Sequence, residues 1–119
     1  MKSGIMTYCL KSALPESERN MESLIRVAAE ESFDLEVYYP DLPEEDKDVR
    51  KLAESARKLA DQCGVKIFAL GLGARMGDVN PDLAAQNMKE LKLNLEVADI
   101  LGAGVVSFAA IDSQPVPPD

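Results

Sequence analysis

The chain has 119 residues, 46% of them hydrophobic, with 21 acidic and 13 basic side chains and a formal net charge of −8. That size and composition fit one globular domain with one core and exclude a disordered chain. The acidic balance, which otherwise reads as solubility, lacks the basic footprint of nucleic-acid binding, and no apolar run reaches the roughly 20 residues that span a bilayer.

The N-terminal run MKSGIMTYCL is too short for a signal-peptide core and has no small-residue cleavage site after it, so a cytoplasmic protein is expected. Within it, Gly4 to Leu10 reads as a first strand, rich in apolar and aromatic residues. A first helix follows from about Ser17 or Asn20 to Glu31, with Met21, Leu24, Ile25, Ala28 and Ala29 at helical spacing. Leu35 to Tyr39 reads as a second strand, broken by Pro40. A second helix is expected over about Glu44 to Cys63, its first turn crowded with Glu44, Glu45 and Asp46, where the helix dipole favours negative charge. Its apolar stripe is Val49, Leu52, Ala53, Ala56, Leu59 and Ala60, and Gly64 ends it.

Val65 to Leu72 reads as a third strand, buried on both faces. Asn80-Pro81 then opens a third helix, Asn suiting the N-cap and Pro the first helical position. Leu83, Ala84, Met88, Leu91, Leu95 and Ala98 are expected to line one side of it, and Gly102 ends it. Val105 to Ala110 is the fourth strand. Residues 111–119, with three prolines, read as a flexible tail behind a domain over 1–110. The pattern is β-α-β-α-β-α-β, hence a parallel sheet whose ligand sites belong at the C-terminal strand ends.

The sharpest polar pair is Glu36 and Tyr38, which share one face of the apolar strand LEVYY. A carboxylate there costs several kcal/mol unless it is paired or lies near the open end of the strand. A strand-mouth role in ligand binding and an edge position with ordinary solvation both fit. Thr7, Tyr8 and Ser107 lie at or within strands and read equally as ligand contacts or packed residues. The loop Gly71-x-Gly73-x-x-x-Gly77 is one residue off the dinucleotide fingerprint and reads as a wide turn, with Arg75 its one cation for an anionic ligand. Glu36 with Asp41, Asp78 or Asp112 are the only carboxylates expected at neighbouring strand ends. Cys9, at the end of the first strand, and Cys63, in the last turn of a helix, sit in no CxxC pattern and are expected to be buried free thiols. Histidine is absent, which excludes a Ser-His-Asp triad, a Cys-His pair and any His-containing metal site, while a carboxylate-only magnesium site stays open.

GIMTYCL, MESLIRVAAEESFD, LEVYYPDLPEEDKDVRKLAESARKLADQCGVKIFALGLGA and LNLEVADILGAGVVSFAA together resemble the N-terminal half of xylose isomerase-like TIM barrels, the superfamily of sugar isomerases, sugar-phosphate epimerases and family 2 AP endonucleases. The most specific piece is ADILGAGVVSF, followed by LEVYYP with its acidic strand residue. The resemblance implies half of a (β/α)8 barrel, which takes about 250 residues when whole. It also implies metal-assisted isomerase or epimerase chemistry whose metal ligands come chiefly from later strands, so no cofactor is expected in this chain and a divalent metal only with a second half. Tyr8, Glu36 and Tyr38 would then contact a sugar, and Arg75 the phosphate of a sugar phosphate.

A four-stranded half leaves two sheet edges unpaired and an apolar inner face exposed, so a homodimer without turnover of its own is expected. The alternatives are a non-catalytic assembly scaffold and a flavodoxin-like, doubly wound receiver with the first strand central. The receiver lacks its acids, since the ends of strands one and three read Tyr8-Cys9-Leu10 and Leu70-Gly71-Leu72.

Overall fold

The computed structural model describes residues 3–72 and 81–108. Four strands, β1 (Ser3–Met6), β2 (Phe33–Tyr38), β3 (Ile67–Leu72) and β4 (Val105–Phe108), form one parallel sheet in the order β1-β2-β3-β4. This order puts β1 at an edge, so the flavodoxin-like alternative, which needs the first strand inside the sheet, is overturned. The sheet is open, with β1 and β4 at its two edges.

Four helices connect the strands: α1 (Thr7–Ser12), α2 (Met21–Glu30), α3 (Val49–Cys63) and α4 (Pro81–Leu101). Asn20 caps α2 by accepting a hydrogen bond from the Ser23 amide at 2.9 Å. Asp48 caps α3 in the same manner, accepting from the Arg50 amide at 2.9 Å. Gly64 and Gly102 end α3 and the α4 segment with φ of +74°, the left-handed conformation that only glycine adopts without strain. At Gly102 the missing side chain also leaves room for the Arg57 guanidinium, which donates to the Ile100 carbonyl of the last α4 turn.

Leu24, Ile25 and Ala28 of α2, Ala53, Ala56 and Ala60 of α3, and Val97, Ala98 and Leu101 of α4 share one core with Leu35, Val37, Ile67 and Leu70 of the sheet. All three long helices therefore cover the same face. Side chains alternate along a strand, so Glu36 and Tyr38 point to the other face, with Met6, Phe68, Val105 and Ser107 beside them in the register. Among the described residues α1 reaches that face through Tyr8 against Tyr38, while Val105 is 58% exposed and Met6, Glu36 and Phe68 remain partly exposed. The expected apolar surface is interrupted by Glu36, Tyr38 and Ser107.

Several expectations need correction. The first strand stops at Met6, and Thr7 to Ser12 is helical, which places Tyr8 and Cys9 on α1. Thr7 and Leu10 are buried and Leu14 packs against the core, a helical spacing that outweighs the β propensity of TYCL. Cys9 is consequently exposed rather than buried, and Cys63 is half-buried. The second long helix begins at Val49, not Glu44, because Asp46 adopts a left-handed φ of +61° and Asp48 supplies the cap. On α4 Ala98 is buried and Leu91 packs against the core as expected, and Asn94, Val97 and Leu101 join them, while Met88 and Leu95 are about half exposed; the Leu83 and Ala84 side chains lie outside the described ones. The expected β3 start at Val65 moves to Ile67. Asn80, Ala109, Ala110 and the 111–119 tail lie outside the described residues.

Candidate functional site

A parallel sheet collects its functional groups where the strands end. Tyr38 closes β2, Gly71 and Ser107 lie next to the ends of β3 and β4, and Thr7 and Tyr8 follow β1 directly. In the register Tyr38 pairs with Gly71 and Gly71 with Ser107. A shift between Leu35 and Glu36 pairs Leu35 with Ile67 but Glu36 with Ala69, leaving Phe68 as an extra residue of β3.

This shift sets the Glu36 carboxylate over Gly71. A β-carbon at Gly71 would lie 3.3 Å from Glu36 Oε2 and 3.7 Å from Ser107 Oγ. The glycine is thus the floor of a small polar spot with an acceptor on one side and a hydroxyl on the other. Tyr38 borders it on β2, and its ring meets Tyr8 edge to face, with centroids 5.6 Å apart and planes at 78°. Tyr8 is 59% exposed, so its ring presents open aromatic surface.

Behind the tyrosines lies a hydrogen-bonded cluster. Thr7, fully buried, donates from Oγ1 to Asp41 Oδ2 at 2.8 Å and accepts from the Tyr38 amide at 2.9 Å. Lys11 donates to Asp41 Oδ1 at 3.0 Å, and the Asp41 side chain is 3% exposed. Asp41 sits in the 3-10 turn Tyr39–Asp41 after β2. Next to it the Tyr39 hydroxyl has its pKa raised, first by burial and then by the charge of Glu90, with Arg50 acting the other way.

Of the residues singled out in the sequence, Tyr8, Glu36, Tyr38 and Ser107 come together at one end of the sheet. Thr7 joins them as a packed residue bonded to backbone and Asp41 rather than as an open ligand contact. Asp41, expected beside Glu36, is instead bonded to Thr7 and Lys11. Arg75, Gly73, Gly77, Asp78 and Asp112 lie outside the described residues. The Lys11–Asp41 contact has no local signal in the sequence, since Asp41 lies 30 residues beyond Lys11.

The arrangement can accept hydrogen bonds from ligand hydroxyls at Glu36, exchange them at Ser107, and pack a ring or carbon chain against Tyr8 and Tyr38. Among the described residues it does not assemble a divalent-metal site. Glu36 stands as one carboxylate, both oxygens of Asp41 are already bonded, and no group of three His, Cys, Asp or Glu converges among the described residues. A cleft of about 370 Å³ lies at the opposite end of the sheet, near Arg57, Asp61, Lys66 and Gly102. Its Arg57 is engaged with the Ile100 carbonyl and lies 3.9 Å from Asp61, so that end serves to close α4. Among the described residues no helix is long and apolar enough to cross a membrane. Comparison with protein-family models, with curated proteins and with solved structures found no significant match to this chain.

Proposed function

We propose that this chain is one half of a (β/α)8 barrel of the xylose isomerase-like kind, and that its strand ends hold a sugar or sugar phosphate. The observation that carries the reading is the sequential order β1-β2-β3-β4 with Glu36 and Ser107 facing Gly71 at the C-terminal strand ends, on the face opposite the helices. Sequential parallel strands with helices on one side are the repeating pattern of such barrels. A carboxylate, a hydroxyl and two tyrosine rings suit a polyhydroxylated ligand, whose hydroxyls donate and whose carbon skeleton packs on aromatic surface.

Two copies related by a two-fold axis would place β4 of each beside β1 of the other and close both edges. The half-barrel by itself binds without turnover, because the metal ligands of such barrels come chiefly from strands of the second half. Sedimentation velocity, with a metal-supplemented ketose epimerase assay, tests this. A homodimer without epimerase activity is expected, whereas a stable monomer, or brisk turnover by the chain alone, overturns the reading.

A second reading, an assembly scaffold without a ligand, draws on the exposed Met88 and Leu95 of α4 and Val105 of β4. A dimer that shows no saturable binding of D-fructose or fructose 6-phosphate in calorimetric titration favours the scaffold.

A further inference from the structure

The sugar-binding reading leaves a buried carboxylate without a task. The Asp41 side chain is 3% exposed, lies on a turn, and bonds to no group of the Glu36 spot. Its two oxygens are divided between Thr7 and Lys11, residues that stand one turn apart on α1. One carboxylate therefore grips two successive turns of the same short helix and ties them to the exit of β2.

The hydroxyl between them has a fixed direction. A carboxylate only accepts and a backbone amide only donates, so the single Thr7 proton points to Asp41 and an Oγ1 lone pair receives the Tyr38 N–H. Thr7 precedes Tyr8 on α1, and Tyr38 is the residue whose amide it holds. Both rings of the edge-to-face pair thus hang from backbone fixed by one buried hydroxyl.

Burial cannot hold Tyr8 in place, since 59% of it is exposed. A helix of six residues is also too short to hold itself in a direction without tertiary contacts. We infer that Thr7 and Asp41 are positioning residues, which set the Tyr8 and Tyr38 rings as one aromatic wall beside Glu36. Lys11 is the outer arm of the same clasp. This role rests on the site of the sugar-binding reading, but its test needs no sugar.

The test is side-chain NMR of the full chain, with tyrosine rings assigned. The unaltered protein gives inter-ring nuclear Overhauser contacts between Tyr8 and Tyr38. Thr7→Val keeps the shape and removes the hydroxyl; it is expected to reduce those contacts at least twofold while the amide spectrum of α2, α3 and β3 stays in place. Thr7→Ser keeps the hydroxyl and is expected to restore them. Lys11→Met alters only the partly exposed arm, leaves folding intact, and is expected to weaken the contacts by a smaller factor. Undiminished inter-ring contacts in folded Thr7→Val or in Lys11→Met, or a Thr7→Ser protein that behaves like Thr7→Val, overturn the assignment. Since no sugar enters the measurement, failure of sugar binding and failure of this clasp are separate results.

Discussion

Glu36 on β2 and Ser107 on β4 approach each other across Gly71, the β3 residue that has no side chain to keep them apart. A methyl group at this point would lie 3.3 Å from the Glu36 carboxylate, so the carboxylate must swing aside by a few tenths of an ångström. Glycine within a strand is itself unfavourable by roughly 0.5–1 kcal/mol relative to alanine. Gly71→Ala is therefore expected to leave thermal stability within about 1 kcal/mol of the parent while abolishing sugar binding in calorimetric titration. A large loss of stability in the melt would mean that the glycine serves packing instead.

The dimer proposal makes a prediction at the edge of the sheet. Val105 is 58% exposed on β4, and Leu95 is 48% exposed on the outer side of α4. A charge on an edge strand is a strong barrier to pairing with a second sheet. Val105→Lys and Leu95→Lys are exposed changes, each expected to alter monomer stability by no more than about 0.5 kcal/mol. The double variant should sediment at half the mass of the parent. A parent chain that sediments as a monomer at micromolar concentration rejects the two-fold arrangement outright.

Much of the architecture can be read from punctuation. Gly64 and Gly102 mark helix ends because the chain needs a left-handed residue there, and both adopt φ of +74°. The inward stripes of α2 and α3 are legible because charged residues fill their outer faces. The face of α4 is not, since Leu91, Leu93, Leu95, Val97, Ile100 and Leu101 surround it with apolar groups and periodicity selects no side. The start of α1 is hidden for a different reason: Thr7 and Lys11 gain from helical geometry through Asp41 and the Tyr38 amide, thirty or more residues later in the chain. Glu36 stands out as an acid within an apolar strand. Its place over Gly71 follows from the register shift at Leu35 and Glu36, which no local pattern announces.

The Tyr39 hydroxyl gives the protein a dependence on alkaline pH. Burial raises its pKa, and Glu90 adds to the effect against Arg50. The unfolded chain loses this proton near pH 10, roughly the ordinary tyrosine value, and the folded chain loses it later. Stability that comes from keeping the phenol neutral is therefore complete below the unfolded value and is lost as pH rises through the folded one. Tyr39→Phe should match the parent near neutral pH and fall less steeply above about pH 10. Urea denaturation at stepped alkaline pH reads the difference. Parallel curves for the two proteins would show that Tyr39 titrates as an ordinary exposed phenol.

Asn94 carries the last prediction. It is 8% exposed on the inward face of α4, beside the core residues Val97, Ala98 and Leu101, and its side-chain oxygen Oδ1 is buried without a hydrogen-bond partner. A buried acceptor in this condition costs about 1–3 kcal/mol relative to one that is paired. Leucine has a similar branched shape and no polar atom, although its extra volume takes back part of the gain. Asn94→Leu is expected to raise the melting temperature by several degrees, a gain of about 1 kcal/mol in a domain of this size. Asn94→Asp places a charge where the amide was already unsatisfied and should destabilise by several kcal/mol at neutral pH. The opposite signs of the two variants separate an unsatisfied buried oxygen from a general sensitivity of the helix to substitution; loss of stability in both would show that the amide holds a partner the core depends on.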